Sequence, residues 1–157
     1  MATRKIIHDG DDILTKKSRT VTNFDKRLHT LLDDMEDTLH EAEGAGLAAP
    51  QVGVLRRVCI VEINENELIE MINPEIISRE GEQDGPEGCL SLPGIAGMVK
   101  RPMCVTVRAN DRHGKTFEVY GEGLKARALC HEIDHLDGIM YTEIMSRFLT
   151  DEEMENQ

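Results

Sequence analysis

The chain has 157 residues, the usual size of one domain, so we expect residues 1–157 to form a single domain with one core. Its formal net charge is −12, and a surface this acidic repels phosphate backbones, so no direct nucleic-acid partner is expected. The N-terminal stretch MATRKIIHDGDD lacks the apolar core of a signal peptide and no stretch is apolar enough to span a bilayer, which predicts a cytoplasmic protein with no membrane partner.

The first predicted element is a helix in FDKRLHTLLDDMEDTLHEAEG, residues 24–44. Its apolar residues recur at the three, four and seven spacing of one helix face. They are Leu28, Leu31, Leu32, Met35, Leu39 and Ala42. Thr22 followed by Asp25 is typical of an N-terminal cap, and Gly44 suits the end of the helix.

The middle of the chain predicts strands. Residues 56–63 form a β-branched run typical of a buried strand, and residues 67–77 indicate another strand that Pro74 interrupts. MCVTVRAN and KTFEVYGE alternate in polarity on either side of the turn DRHG, so they predict a hairpin. Residues 78–88, SREGEQDGPEG, are rich in glycine and acid and are predicted to be a loop.

The last strong pattern is a second helix, GLKARALCHEIDHLDG, for which Gly138 is the expected C-terminal cap. Leu124, Ala128, His131 and His135 follow one another at intervals of four, three and four residues and share one stripe of this helix. Because strands and helices do not alternate regularly, we predict an α+β fold. In that fold, mixed antiparallel strands pack around this central helix, and the first helix is N-terminal to them.

Two histidines on a mostly apolar helix need partners, since unpaired polar groups in a core cost free energy. One hypothesis is two core histidines that each bond a backbone carbonyl, and the other is a shared metal ion that satisfies both rings. Composition alone predicts roughly 0.04 strings of the form H-acid-x-x-H in such a chain, which favours the metal. Glu132 directly follows the first histidine and would lie beside the metal without binding it.

A catalytic metal usually takes three protein ligands and leaves a fourth position to water. One protease pattern continues HExxHxxGxxH, but here the last position is Tyr141. Cys130 projects about 100° away from the first histidine around the helix, and Cys59 and Cys104 lie in strand-like runs typical of core residues. Cys89 stands in PEGCLSLPG, where a metal ligand and an ordinary loop cysteine are both open alternatives.

Three segments in order resemble the peptide deformylase family: GAGLAAPQ, EGCLS and HEIDH. The resemblance covers nearly the whole chain. It implies one catalytic domain, a metal-dependent hydrolase that removes the N-formyl group from the N-terminal methionine of newly synthesised proteins and releases formate. It also implies Cys89, His131 and His135 as ligands of one divalent ion, typically Fe²⁺, with Zn²⁺, Ni²⁺ or Co²⁺ able to occupy the site. The rival hypotheses are a metallopeptidase and a structural metal site in a binding module.

The resemblance further implies roles for residues around that metal. Glu132 would take a proton from the attacking water and pass it to the leaving amine. The side-chain amide of Gln51 and the backbone N–H of Leu90 would stabilise the oxyanion together with the metal.

Substrate is expected to lie along backbone that lacks side chains. Glycine lets an extended peptide approach closely, and backbone around Ala45, Gly46 and Gly88 would bond it like an added strand. The residues expected around an apolar methionine pocket are Leu90, Ala128 and the stem of Arg127. Asp134 and Arg101 are either a supporting pair near the site or two unrelated surface charges.

Three segments depart from the family pattern. Cys130 replaces a glutamine that commonly precedes the histidine–glutamate pair, and HDGDDIL replaces an early Asp-Pro pair, so we expect altered packing and an altered turn. The tail LTDEEMENQ is short and acidic. In other members a long C-terminal helix docks on the ribosome, but RNA would repel this tail. A transient ribosome contact is therefore in doubt here, or it uses another surface.

Prolonged exposure to air is expected to inactivate the iron-loaded protein, because a thiolate such as that of Cys89 oxidises readily. The measurement is formate release from a formyl-Met peptide before and after aeration, with protein kept anaerobic as the control. Full activity after aeration would contradict this prediction.

Overall fold

The structure, a computed structural model, describes residues 2–156. The helices in this range are α1 (Lys26–Ala42), α2 (Leu124–Leu136) and α3 (Asp151–Glu155). The strands are β1 (Gly46–Ala48), β2 (Val58–Val61), β3 (Ile69–Glu80), β4 (Gln83–Cys89), β5 (Leu92–Arg101), β6 (Cys104–Asn110), β7 (Thr116–Glu122) and β8 (Arg147–Phe148). None of the helices formed by these residues combines the length and the apolar character that a membrane crossing requires.

The strands form two sheets whose strand pairs are antiparallel. One sheet has the order β1-β2-β3-β6-β7, and the other has the order β4-β5-β8. The predicted hairpin around DRHG is formed by β6 and β7. The α+β class is therefore confirmed, while the assignment of residues 1–157 to a single domain stays a prediction.

The five-stranded sheet lies between the two long helices. Successive side chains of a strand point to opposite faces of its sheet, and β2 follows this rule. Cys59 and Val61 pack in the cluster that contains α2, while Val58 and Ile60 pack in the cluster that contains α1. The helix that carries both histidines is thus buried against one face of the sheet, which explains its apolar character.

The ends of α1 differ from the predicted caps. The N-terminal cap is Asp25, whose carboxylate accepts a hydrogen bond from the Leu28 N–H at 3.1 Å. Thr22 lies outside the helix and is not the cap. After the helix, Glu43 adopts the left-handed conformation with φ 56° and Gly44 follows it. Sequence rules favour glycine at a left-handed cap, but a glutamate takes that position here.

The prediction of a loop at residues 78–88 is wrong. β3 continues to Glu80, and β4 begins soon after it and pairs with β5. The buried residues of β4 are Gly85 and Glu87, and neither is hydrophobic in the usual alternating pattern, so that pattern gives no signal for this strand. A Cβ added to Gly85 would lie 3.0 Å from Nη2 of Arg127, so glycine leaves the room that this arginine needs.

Pro74 shifts the register of β3 without ending the strand. Pairing with β6 is irregular between Ile72 and Glu75. Asn73 has φ 52°, and its side-chain amide bonds both the N–H and the C=O of Val21 at 2.8 and 2.9 Å. A bulge therefore accommodates the proline, which has no N–H for the ladder.

Replacing Gly138 by alanine is expected to lower the free energy of unfolding by about 3 kcal/mol. Its φ is +75°, and an added Cβ would lie 2.5 Å from the Thr15 carbonyl oxygen. Gly10→Ala is the matched control, because φ is +103° there and nothing lies within 4 Å of the added Cβ. Gly10→Ala is expected to lower the free energy of unfolding by about 1 kcal/mol, from the backbone conformation alone.

Urea unfolding of both metal-loaded variants beside the wild type measures this difference. Equal losses in the two variants would mean that the carbonyl of Thr15 moves aside at no cost.

Candidate active site

Three side chains from two elements meet beside α2. His131 and His135 lie one helical turn apart, and their Nε2 atoms are separated by 3.2 Å. Cys89 ends β4, and its Sγ lies 3.3 Å from Nε2 of His135. The potential ligand atoms of all three residues lie within 4.8 Å of one another.

This arrangement fits a divalent metal ion. Nitrogens about 2.1 Å and a thiolate about 2.3 Å from a tetrahedral ion lie roughly 3.4–3.6 Å apart, close to the observed separations. One thiolate and two imidazoles suit Zn²⁺ and Fe²⁺. Both histidines are buried and Cys89 is half-buried beside a cavity, so the group leaves one side open.

Glu87 is the buried partner of this group, and the sequence analysis missed it. Its carboxylate bonds Nδ1 of His131 at 2.8 Å, Nε and Nη2 of Arg101 at 2.7 and 2.9 Å, and Nη1 of Arg127 at 2.8 Å. Burial alone would raise the pKa of Glu87, but the hydrogen bonds from Arg101 and His131 lower it to about 2. Glu87 and Cys89 are two residues apart on β4, although the pairing with β5 is irregular between them. The predicted loop gave no reason to expect the glutamate beside the cysteine.

The hypothesis of a supporting pair is confirmed for Asp134 and Arg101. Nη1 of Arg101 donates to the Asp134 carboxylate at 2.6 Å. The same guanidinium also bonds Glu87, so the pair belongs to the cluster that surrounds His131. The hypothesis of two unrelated surface charges is therefore wrong.

Glu132 lies in the cavity wall with its carboxylate buried. Its Oε1 has no hydrogen-bond partner among the described residues. Burial raises the pKa of this carboxyl to about 7. A Cβ added to Gly46 would lie 2.6 Å from Oε2 of Glu132, so the glycine makes room for this carboxylate.

Gln51 is held with its amide nitrogen toward the sulfur. It lies in the short turn after β1, and its Oε1 accepts a hydrogen bond from the Ala48 N–H at 2.9 Å. Its Nε2 donates to Oγ of Ser91 at 3.1 Å and lies 3.5 Å from Sγ of Cys89. The glutamine therefore presents its N–H donors next to the potential metal ligands.

One cavity of about 480 Å³ brings the predicted residues together. Those that line it are Ala45, Gly46, Gln51, Gly88, Cys89, Leu90, Arg127, Ala128, His131 and Glu132. His135 is not among the lining residues. The segment from Leu92 to Ile95 and the exposed Leu124 also line the cavity, and the sequence analysis did not assign them. The roles of all these residues stay predictions.

The glycines of GAGLAAPQ serve the protein's own packing. A Cβ added to Gly44 would lie 2.8 Å from Cδ1 of Leu90, and one added to Gly46 would meet Glu132 as described above. The reason given from sequence was approach by a peptide. In the structure Glu132 leaves no room for a side chain at position 46, and the methyl groups of Leu39 and Leu90 crowd position 44.

Two residues considered from sequence do not belong to the group of potential metal ligands. Tyr141 is buried, and its ring stacks on that of His131 with the centroids 6.2 Å apart. Cys130 packs in the cluster between α2 and the five-stranded sheet. The expectation that cysteine at this position alters the packing stays a prediction.

Sequence comparison finds relatives along nearly the whole chain. The family model described as "Polypeptide deformylase" matches residues 3–150. The peptide deformylase of Acetivibrio thermocellus is 55% identical over 157 residues, which are 100% of this chain and 92% of that protein. Peptide deformylase 1 of Bacillus subtilis is 47% identical over 155 residues, 98% of this chain and 97% of that protein.

Solved structures agree with the fold. A crystal structure of a peptide deformylase from Legionella pneumophila has a TM-score of 0.90 at 48% identity, covering 92% of this chain and 87% of that chain. An actinonin-bound peptide deformylase from Acinetobacter baumannii has a TM-score of 0.87 at 35% identity, covering 93% of this chain and 100% of that chain. Because sequence and structure agree over this extent, the chain belongs to the peptide deformylase family, the metal-dependent hydrolases that remove the N-formyl group from nascent chains.

Proposed function

We propose that Cys89, His131 and His135 hold the catalytic metal of this deformylase and that the cavity beside them binds the formylated methionine. The observation that carries this proposal is the meeting of three potential ligand atoms within 4.8 Å at a cavity wall. A divalent ion bound there supplies Lewis acidity that makes water more acidic and polarises the formyl oxygen.

Glu132 is proposed to move the proton. It follows a ligand directly, lines the cavity and keeps one carboxylate oxygen without a partner among the described residues. That oxygen can accept a proton from the attacking water as the water oxygen bonds to the formyl carbon. When the carbon–nitrogen bond breaks, Glu132 returns the proton to the amine, and formate is the other product.

Gln51 and Leu90 are proposed to stabilise the oxyanion that forms on the formyl group. Bonds to Ala48 and Ser91 hold the amide of Gln51 in place, so it need not reorganise during the reaction. Leu90 follows Cys89 directly and lines the cavity, which supports a role for its backbone N–H.

Gly46 is proposed as the main backbone contact of the substrate on β1. This strand is at one end of the sheet order, with β2 on one side and the cavity on the other. The Ala45 carbonyl accepts a hydrogen bond from the Glu62 N–H at 2.8 Å and so faces β2. Backbone groups alternate along a strand, so those of Gly46 face the open side. Gly88, on the opposite wall, is proposed as the second contact.

The methionine side chain is proposed to lie among Leu90, Ala128 and the stem of Arg127. The guanidinium of Arg127 is engaged by Glu87 and by the Val99 carbonyl, at 2.8 and 2.9 Å. Both bonds use Nη1, whereas Nη2 is buried without a hydrogen-bond partner among the described residues. The methylene stem is the apolar part of this side chain that would line the pocket.

Glu87 is proposed to position His131 as a ligand. A ligand histidine commonly donates its other ring N–H to a carboxylate, which fixes the ring and its tautomer. The bond between Nδ1 of His131 and Glu87 has this arrangement.

Ferrous iron is proposed as the native ion, on the family resemblance and on a ligand set that suits both iron and zinc. The aeration experiment bears on this choice, because zinc-loaded protein should keep more activity in air. Ribosome contact through α3 is not proposed. This helix has five residues, DEEME, and offers no basic surface to RNA.

Glu132→Gln is expected to reduce formate release from a formyl-Met peptide by about 10²–10⁴-fold, because glutamine cannot take the proton. Elemental analysis should show the metal content of the wild type. Glu75→Gln is the control, since this carboxylate is exposed on β3. An active Glu132→Gln would refute its role as the base, and no release by iron- or nickel-loaded wild type would refute the proposed function.

Glu87→Gln is expected to weaken metal binding by about 10–100-fold, because the bond that orients His131 is lost. Asp134→Asn is the control, since that side chain is 26% exposed and bonds only Arg101 of the cluster. Competition with a chelator measures both affinities. Equal losses in the two variants would show that Glu87 has no particular role in positioning the ligand.

A further inference from the structure

A second cavity, of about 660 Å³, lies beside the active-site cavity. Its apolar lining residues are Ile63, Leu68, Ile69, Val119 and Leu124. Ile63, Ile69 and Val119 pack at the border of the cluster between α2 and the sheet and are only half-buried. They form an apolar floor that the core does not fully cover.

Leu124 joins the two cavities. It is the first residue of α2, it is 63% exposed, and it lines both of them. A ligand that leaves the active-site cavity over this side chain therefore enters the second cavity along a continuous surface.

The length of α2 sets the distance between the reaction and this junction. Leu124 precedes His131 by seven residues, which is roughly 10 Å along a helix. An extended peptide covers that distance in about three residues. With its formyl group beside His131, a substrate would reach the second cavity with roughly its fourth to sixth residues.

The sheet supports the same direction. Gly46 on β1 pairs with Val61 on β2. Two residues after Val61, Ile63 lines the second cavity. Gln51 lies in the turn that follows the other end of β1. The second cavity and this turn are therefore at opposite ends of β1. A peptide bound along β1 from the metal ligands outward runs toward that cavity.

The rim of the second cavity is mainly acidic. Glu67 and Glu122 line it, with Lys125 as a cation, and Asn64 donates a hydrogen bond to Glu67 at 3.0 Å. The net charge of the whole chain has the same sign. A basic side chain near this rim is therefore favoured over an acidic one.

We propose that the second cavity binds roughly the fourth to sixth residues of the formylated chain and prefers an apolar residue next to a basic one. The proposal rests on the proposed function, because it assumes that the formyl group lies at the metal ligands. The second cavity adds a sequence preference for the fourth to sixth residues of the substrate. This preference acts through substrate binding, because these residues lie far from the bond that breaks.

The first test compares peptides on the metal-loaded wild type. A formyl-Met tripeptide reports the deformylase reaction itself. Hexapeptides share that tripeptide and end in Gly-Ser-Gly, Leu-Lys-Gly or Leu-Glu-Gly. We expect kcat/KM for the Leu-Lys peptide to exceed that for the Gly-Ser peptide by about fivefold, mainly through KM. The Leu-Glu peptide should fall between them, and its difference from Leu-Lys should shrink in high salt.

The second test uses variants of the cavity. Val119→Lys places a positive charge on the apolar floor of the second cavity. Glu122→Lys replaces a negative charge at its rim with a positive one. Each should remove most of the ratio between the Leu-Lys peptide and the Gly-Ser peptide. Ile144→Lys is the matched control, because this exposed apolar residue does not line either cavity and should leave the ratio unchanged.

The outcomes separate the two proposals. Turnover of the tripeptide with equal kcat/KM for all hexapeptides would overturn the second site and keep the proposed function. A ratio that persists in Glu122→Lys and Val119→Lys would also overturn it, since the gain would then arise elsewhere. Absence of tripeptide turnover would refute the proposed function itself. Where one variant fails to fold, the other variant and the wild-type series still allow the second site to be overturned.

Discussion

A single buried carboxylate connects the parts of this active site. Glu87 on β4 bonds Arg101 on β5, and Arg127 and His131 on α2. Two guanidinium groups buried without a partner would carry a large desolvation cost, and this carboxylate supplies the opposite charge. The cluster thereby fastens the three-stranded sheet, which carries Cys89, to the helix that carries both histidines. The bond from Arg127 to the Val99 carbonyl adds a further connection between the same helix and sheet.

Close backbone approach is the second constraint. Gly85 leaves room for Arg127 to reach Glu87, and Gly46 leaves room for the carboxylate of Glu132 beside the cavity. Each glycine therefore leaves the space in which a charged side chain of the site lies. Because Gly46 has no side chain, the edge of β1 is also open toward the cavity. The same glycine therefore allows the packing of Glu132 and the approach of a substrate backbone.

α2 organises the site along its length. Its second half presents His131 and Glu132 to one cavity, and its first residue, Leu124, lies at the junction with another. A helix is rigid over such a distance, so the reacting groups and the junction keep a fixed separation. Under the proposed function, the helix that carries two of the potential metal ligands also fixes how long a substrate must be to reach the second cavity.

Local patterns in the sequence determined the elements that depend on near neighbours. Helical spacing put His131 and His135 on one stripe, and the turn DRHG fixed the hairpin. The three motifs identified the family and, through it, Cys89. Only the tertiary structure decided that residues 78–88 contribute to strands and that Glu87 is buried at their centre. The physical reason is that β4 buries a glycine and a glutamate. A buried glutamate is stable only when partners such as Arg101, Arg127 and His131 bond it. These partners are distant in sequence, so no local pattern of residues predicts the contacts.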